Sequence, residues 1–220
     1  MTGGEFNGAR VLAWRDAALK IGRFNCGVFS MPTDLIQEKR SRLTMALEKL
    51  RELRSAEPNA EAGTHEKAAA MHLTTTVGIA RPLADRYVAV AAAALKSGAG
   101  EFSAEDVAKI SSLDDKFGAA FMVLPHHVEQ ILKGGKHMSR RFRRWGDEGD
   151  VFHVRGKAFR FTRIARIRVG DITDDDIRKE GYTTRQEFEQ MWYKSHPKSV
   201  AAGKTLDPDQ LCWCHEYEPV

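Results

Sequence analysis

The sequence has few of the features that place a protein in an oxidising compartment or in a membrane. Only three cysteines occur among its 220 residues, Cys26, Cys212 and Cys214, and an odd number cannot form a complete set of intrachain disulfides. The nearest approach to a membrane segment, Val88 to Leu95, is much shorter than the roughly 20 residues of a spanning helix. Since no leader pattern is seen at the N-terminus, we expect a soluble, cytoplasmic protein without a membrane partner.

Signals for cofactors and metals are also missing. The N-terminal part has no internal repeat, no phosphate-binding glycine loop and no zinc spacing. Cys212, Cys214 and His215 lie close together, but alternation along a strand would direct the two cysteines to one face and His215 to the other, and no fourth ligand is evident. We therefore expect neither a metal site nor a cofactor.

The length of the chain and its 42% hydrophobic content are sufficient for two modules of ordinary domain size. The segment Ser97-Gly98-Ala99-Gly100 is the clearest boundary signal. We predict an all-helical N-terminal region of unknown role over residues 1–100, a connecting helical segment over 101–120 and a second module over 121–220.

Hydrophobic periodicity locates the helices of the first region. It predicts a short helix from Val11 to Ile21 and a longer one from Thr33 to about Arg54, followed by a linker from Ser55 to Thr64. Helical pattern continues over 68–96 but should break near Pro82. Ser103 should begin another short helix as its N-cap.

The helical region also allows an interaction role. The alanine-rich segment Ala89 to Ala94 is typical of close helix packing, which would be with a protein partner, with a second copy of the chain, or within the molecule. The first two alternatives would make the protein an interaction module.

After Ala120 the pattern changes to the short alternation of strands. Apolar residues at Phe159, Phe161, Ile164 and Ile167 stand among arginines, and the alternation shifts between Phe161 and Ile164. The shift predicts a bulge in a long strand.

The segment Ile131 to Arg141 is the strongest candidate for a functional site. A short helix over Val128 to Leu132 should end at Gly134-Gly135, which can supply a positive φ, and the chain should then run extended. Residues two apart in a strand share a face, so one face would carry Lys136, Met138 and Arg140 and the other His137, Ser139 and Arg141.

Positive charge is concentrated in the same half of the chain. The formal net charge is only +4, but Lys133 to Arg168 contains many lysines and arginines, which favour phosphate backbones unless they only solvate an exposed sheet face. Phe142, Trp145, Phe152 and Tyr182 lie nearby and could stack on bases. The candidate nucleic-acid-binding residues are Lys136, Arg140, Arg141, Arg143, Arg144, Trp145, Arg155 and Lys157.

Residues 121–220 resemble the ASCH domains of the PUA-like superfamily. Phe121 to Pro125 is similar to that family's first strand, and Gly134, Lys136 and Arg141 match its Gly-x-Lys-x-x-x-x-Arg signature. The remaining pieces follow in the family's order: the Gly149-Asp150 turn with its strand, the long strand Ala158 to Val169, the helix and corner Thr173 to Tyr182, a second helix around Glu187-Phe188 and Met191-Trp192, and the last strand Leu211 to Glu218.

The resemblance is nearest to a subgroup with the pattern Lys-Thr-x-Thr-x-Arg, whose members hydrolyse N4-acetylated cytidine. It implies that Lys136, Ser139 and Glu180 are catalytic, although His137 replaces the first threonine of that pattern. Other relatives are ribonucleases or RNA binders. The alternative for Glu180 is a plain salt bridge to Arg141 or Lys136.

These observations predict an α+β protein: a C-terminal PUA-like, ASCH-type β-barrel with peripheral helices, preceded by the all-helical region. The expected function is binding of RNA or another nucleic acid in a basic cleft, with or without hydrolysis of the bound molecule. The alternatives are an amidohydrolase of N4-acylated cytidine-type nucleosides and an interaction protein. An enzyme of this kind would be a hydrolase, either a nucleoside amidohydrolase or a ribonuclease.

Overall fold

Three helices form the first part of the structure. The computed structural model describes residues 33–99, 101–195, 200–203 and 205–220, so the predicted helix from Val11 to Ile21 lies outside the described residues. The three helices are α1 (Thr33–Ala56), α2 (Thr64–Thr76) and α3 (Arg81–Ser97). The predicted long helix, the linker and the break near Pro82 are confirmed.

The alanine-rich segment lies in α3 and packs inside the molecule. Ala91 is fully buried, and Ala92 and Ala94 are each 8% exposed. Gly98 ends the helix with a positive φ of 72°. Within the described ranges, no helix is long and apolar enough to cross a membrane. A protein partner or self-association through the helical region stays a prediction.

Two short helices follow, and the second corrects the expected strand at Phe121 to Pro125. Helix α4 (Ala104–Ser111) begins with the predicted N-cap, because Ser103 and Asp106 form a capping box. Helix α5 spans Asp115–Phe121, and the side chain of Asp114 accepts a hydrogen bond from the backbone of Phe117. The strand prediction was wrong because this cap, together with Phe117 and Phe121 one turn apart on the buried face, favours a helix.

Gly118 allows α5 to lie directly against the sheet. A Cβ atom at this position would be only 1.7 Å from the backbone oxygen of His153. Any larger residue would push the helix away from strand β3 (Val151–Val154).

Five strands form one sheet in the order β1-β3-β4-β5-β2. Strand β4 pairs antiparallel with β3 on one side and with β5 on the other. Strand β2 pairs antiparallel with β5, and β1 pairs parallel with β3. The register of β4 against β5 shifts between Phe161 and Arg163, which confirms the predicted bulge. The other strands are β1 (Ser112–Leu113), β2 (Met138–Arg141), β4 (Lys157–Arg168) and β5 (Leu211–Pro219).

The α+β class is confirmed, but the described strands form an open sheet and not the expected barrel. Closure requires the two edge strands to pair with each other. Here β1 has two residues, β2 has four, and they stand at opposite edges. Helices cover the apolar face instead, since Leu43 and Leu83 belong to the same buried cluster as Phe121 and Phe161.

The last helices, α6, α7 and α8, surround the other end of the sheet. Helix α6 is Pro125–Leu132, α7 is Asp174–Lys179 and α8 is Arg185–Ser195. Thr173 and Asp176 cap α7 in a capping box. A second, smaller apolar cluster joins α7 and α8 to the sheet and contains Ile172, Ile177, Tyr182 and Phe188.

A buried ionic network ties α1 to the turn before β3. Lys39 Nζ pairs with the carboxylates of Asp150 and Asp147, and Arg42 donates to both oxygens of Asp147, at 3.1 and 3.0 Å. Lys39, Asp147 and Asp150 are completely buried. Burial raises the pKa of Asp150 to about 6, against the lowering effect of Lys39. The helices and the sheet thus share one core, and the predicted boundaries at residues 100 and 120 stay predictions.

Replacing Lys39 with methionine keeps most of the side-chain volume and removes the charge. We expect Lys39→Met to lower the free energy of unfolding by about 3–5 kcal/mol, because Asp150 would remain buried without its partner. Urea denaturation would measure the change. Lys49→Met on the same helix is the control: it breaks only the pair of Lys49 with the exposed Glu52 and should cost about 0.5 kcal/mol or less. Equal decreases in the free energy of unfolding of the two variants would show that the buried network contributes no more to stability than an exposed ion pair.

Candidate functional site

A cavity of about 360 Å³ lies between the ends of β2 and β5 and the helices α6, α7 and α8. Its walls are mostly apolar and aromatic, with Phe188, Met191 and Trp192 contributed by α8. Polar side chains reach the same space: Arg140 and Arg141 from β2, Glu180 and Tyr182 from the corner after α7, His127 from α6 and Ser195 from α8. This combination of apolar walls with a few convergent polar groups is typical of a ligand site.

The segment after α6 has the predicted conformation. Gly134 has a φ of 76°, and the chain then enters β2. Lys136 and Arg140 lie beside Glu180, whereas Ser139 Oγ lies on the other side, 3.3 Å from the hydroxyl of Tyr217. The predicted alternation of the two faces is therefore confirmed.

Glu180 connects β2 to the corner after α7. Its backbone oxygen accepts a hydrogen bond of 2.6 Å from Lys136 Nζ, and Oε1 accepts one of 3.1 Å from the backbone N–H of Arg140. Oε2 is bound by Nη1 of Arg140. The chain can turn here because Gly181 has a φ of 92°, which glycine adopts without strain. The backbone oxygen of Gly181 accepts a 2.7 Å hydrogen bond from the side chain of Gln130.

The guanidinium of Arg140 is only partly paired. Its Nε and Nη2 atoms are buried and have no hydrogen-bond partner among the described residues, although Nη2 lies 3.7 Å from the carboxylate of Asp176. The group lies 6.0 Å from the centre of the Phe188 ring. Buried donors are almost always satisfied in folded proteins, so these atoms are available to an acceptor that enters the cavity, whether water or a ligand.

Lys136 is a weak base in this environment. It is 1% exposed, its Nζ lies 4.0 Å from Oε1 of Glu180, and it is not among the described residues that line the cavity. Burial lowers the pKa of Lys136 to about 7; Glu180 opposes the shift, while Arg141 and Arg140 add to it. A substantial fraction of this lysine is therefore neutral at physiological pH.

A histidine and a tyrosine form a neutral pair on the cavity wall. Nε2 of His127 lies 2.8 Å from the hydroxyl of Tyr182. Burial, with a contribution from Lys136, lowers the pKa of His127 to about 2, and burial also raises the pKa of Tyr182. The pair therefore offers hydrogen bonds without a charge.

The structure brings only some of the predicted residues to the cavity. Glu180, Arg140, Arg141 and Trp145 line it, whereas Ser139 does not and is completely buried. The catalytic roles of Lys136, Ser139 and Glu180 stay predictions. Glu180 forms an ion pair with Arg140 and, at 4.0 Å, with Lys136, as the salt-bridge alternative expected for Lys136.

The other predicted basic residues lie elsewhere. Arg143 donates to the backbone oxygen of Thr74. Arg144 pairs with Glu38 at 3.0 Å and Asp147 at 2.6 Å. Arg155 and Lys157 are exposed at the turn between β3 and β4.

Sequence reasoning missed much of the cavity wall. Phe188, Met191 and Trp192 are spaced by three and four residues, which places them on one side of α8. That spacing was visible in the sequence, but it did not show whether the side would face a core or a cavity. Val169, Ile172, Leu206 and Cys212 complete this wall.

Cys212, Cys214 and His215 are buried on β5. Burial raises the pKa of Cys212 to about 11 and that of Cys214 to about 12. Nε2 of His215 accepts a 3.0 Å hydrogen bond from the backbone N–H of Trp145, and burial lowers its pKa to about 3. In the part of the chain that the structure describes, no three His, Cys, Asp or Glu side chains are grouped closely enough to hold a metal ion.

Comparison with known proteins finds distant structural similarity. No protein-family model matches the chain, and no curated protein matches it. A protein of Enterococcus faecalis V583, described with the family DUF984, has a TM-score of 0.36 and 14% identity over 43% of this chain and 67% of its own. An ASCH domain from Lactobacillus crispatus JV V101 has a TM-score of 0.35 and 15% identity over 64% of this chain and 96% of its own.

Lys136→Met should reveal the lowered pKa as a pH-dependent stability difference. The lysine has a pKa near 7 in the folded protein and an ordinary value of 10.5, so unfolding takes up a proton between these pH values. The free energy of unfolding of the parent minus that of the variant should therefore rise with pH across this window. The rise should reach at most about 1.4 kcal/mol per pH unit, with no trend below pH 7.

Urea denaturation at a series of pH values would measure both proteins. Lys133→Met is the control, because the Lys133 side chain is 77% exposed and its removal should give a difference that does not vary with pH. A difference that stays constant for Lys136→Met as well would show that Lys136 is an ordinary lysine.

Proposed function

We propose that the protein binds single-stranded RNA and takes one base into the cavity. The observation that carries the proposal is the pair of buried Arg140 nitrogens that have no hydrogen-bond partner among the described residues, next to the carboxylate of Glu180 and inside walls made of aromatic and aliphatic side chains. An unpaired base has the matching chemistry, since it is flat, apolar on both faces and lined at its edge with hydrogen-bond acceptors and donors.

The dimensions and the charges of the cavity support a base as the occupant. A volume of about 360 Å³ is at the lower end of the range for small-molecule sites, which suits one aromatic ring system. Arg140 can donate to a ring carbonyl or nitrogen, and Glu180 can accept from a ring amine. Trp192 and Phe188 offer surfaces on which a base can stack.

RNA is favoured over a neutral ligand by the cations at the cavity. Arg140 and Arg141 both line it, and Glu180 is the only carboxylate among its described lining residues. The cations attract a phosphate backbone, while contacts to the edge of the base would supply specificity. The resemblance of residues 121–220 to ASCH domains implies the same class of ligand.

Trp192→Ala tests the stacking wall. The substitution should weaken binding of a short single-stranded RNA by about 5- to 150-fold at fixed salt, because stacking on one aromatic side chain contributes roughly 1–3 kcal/mol. Fluorescence anisotropy of a labelled RNA would measure the dissociation constant. The matched control is Tyr193→Ala, the adjacent aromatic residue of α8, which is not among the described lining residues. Equal affinities of the parent and of Trp192→Ala would overturn a base-binding cavity.

A second candidate function is hydrolysis of an N4-acylated cytidine. One observation favours it: Lys136 has a pKa near 7 and lies 4.0 Å from the carboxylate of Glu180, which reaches the cavity. A neutral lysine could accept a proton from water as the water attacks the acyl carbon. The C–N bond would then break, with the proton passing to the cytosine amine, and the products would be a carboxylate and cytidine.

N4-acetylcytidine is the substrate for the test of this candidate. The turnover rate should rise as the pH passes through about 7, where Lys136 loses its proton, and Lys136→Met should lose at least about a hundredfold of the rate. Lys133→Met should retain it. If the parent protein produces no cytidine above the uncatalysed rate, the hydrolytic function is excluded, while RNA binding remains to be judged by affinity alone.

A further inference from the structure

The strand ends next to the cavity carry a second group of side chains, which includes two exposed arginines. Arg166 is the Cα partner of Trp213, and Arg168 is the Cα partner of Leu211, in the antiparallel pair of β4 with β5. Directly opposed residues share a face of the sheet. Together with Arg144, whose guanidinium carbon lies 5.4 Å from the centre of the Trp213 ring, they form what we call the strand-end surface: Arg144, Arg166, Arg168, Leu211 and Trp213.

This surface combines positive charge with accessible apolar area. Arg166 is exposed, and the Arg168 side chain is 63% exposed and lies 3.7 Å from the carboxylate of the still more exposed Asp209. Leu211 is 43% exposed and Trp213 is half-buried. Two exposed arginines on one face of a strand lie about 7 Å apart, beside an aromatic ring already in contact with a third arginine. Such interleaving of cations with an aromatic ring is characteristic of surfaces that hold single-stranded nucleic acid.

The strand-end surface lies at the same end of the sheet as the cavity. Val169, Cys212 and Trp145 line the cavity, and each is the immediate chain neighbour of a residue of the surface: Arg168, Trp213 and Arg144, respectively. Because alternate residues of a strand point to opposite faces, Cys212 faces the cavity while Leu211 and Trp213 face the other side. A ligand that leaves the cavity therefore has only the end of the sheet to pass before it meets this surface.

We propose that the ligand is an RNA chain of several nucleotides, which extends from the cavity onto the strand-end surface. Its phosphates pair with Arg166 and Arg168, and a second base lies against Trp213. This inference rests on the proposed function, because the base in the cavity fixes the position of the chain. The inference adds that a free nucleoside would occupy the cavity and leave the strand-end surface empty.

The test compares Arg166→Glu/Arg168→Glu with the parent protein. The probes are a single-stranded RNA of about ten nucleotides, within the usual site sizes, and free cytidine. Two lost phosphate contacts should weaken RNA binding roughly 25-fold at 0.1 M salt, because each contact contributes about 0.7 to the slope of log affinity against log salt. The magnitude of that slope should fall by about 1.4. The affinity for cytidine should not change, because neither arginine lines the cavity.

The control has the same change of net charge far from the surface. Arg51→Glu/Lys67→Glu reverses two exposed cations on α1 and α2 and should keep most of the affinity for RNA. Thermal unfolding of both double variants verifies that they are folded.

The possible outcomes separate the two proposals. Loss of RNA binding in Arg166→Glu/Arg168→Glu alone, with cytidine binding intact, supports the strand-end surface. Equal losses in the two double variants would show a general charge effect and overturn it. Cytidine binding with no additional affinity for the RNA would overturn the surface and leave a cavity for single nucleosides. If the parent protein binds neither probe, the proposed function itself fails.

Discussion

The carboxylate of Glu180 is the contact on which the candidate site depends. It is almost fully buried and is satisfied from one side by Arg140, through both the backbone N–H and the guanidinium. A buried anion without such partners would be unfavourable by several kcal/mol, so the corner after α7 must lie against β2. The same contact determines how Arg140 is oriented and leaves two of its nitrogens without a hydrogen-bond partner among the described residues. The cavity and its unsatisfied donors therefore have a common origin.

A second group of buried charges holds the framework behind the site. Lys39 and Arg42 of α1 pair with Asp147 and Asp150 in the turn that leads into β3. From the resemblance, Gly149-Asp150 was interpreted only as a turn. In the structure, Asp150 pairs with Lys39, which lies more than one hundred residues earlier in the chain. Since removing one member would leave an uncompensated charge in the core, the network requires the helices to dock on the sheet in one arrangement.

Local features were predictable, and features that depend on distant contacts were not. The bulge after Phe161 and the positive φ of Gly134 were read correctly, because alternation and backbone freedom are properties of short segments. The expected strand at Phe121 to Pro125 is absent: Phe121 ends α5, since a cap and close packing through Gly118 outweighed an apolar run, and Pro125 begins α6. The expected barrel is an open sheet among the described strands, because helices complete its core.

The sequence by itself determined the α+β class, most helix and strand positions, and the two faces of β2. It also placed Arg140, Arg141, Trp145 and Glu180 among the candidates that reach the cavity. Only the tertiary structure decided which charges are buried and which are exposed, because the sequence does not distinguish a buried lysine from an exposed one. Lys136 became a weak base and Arg144 an internal partner of Asp147, because burial and pairing depend on residues brought together from distant parts of the chain.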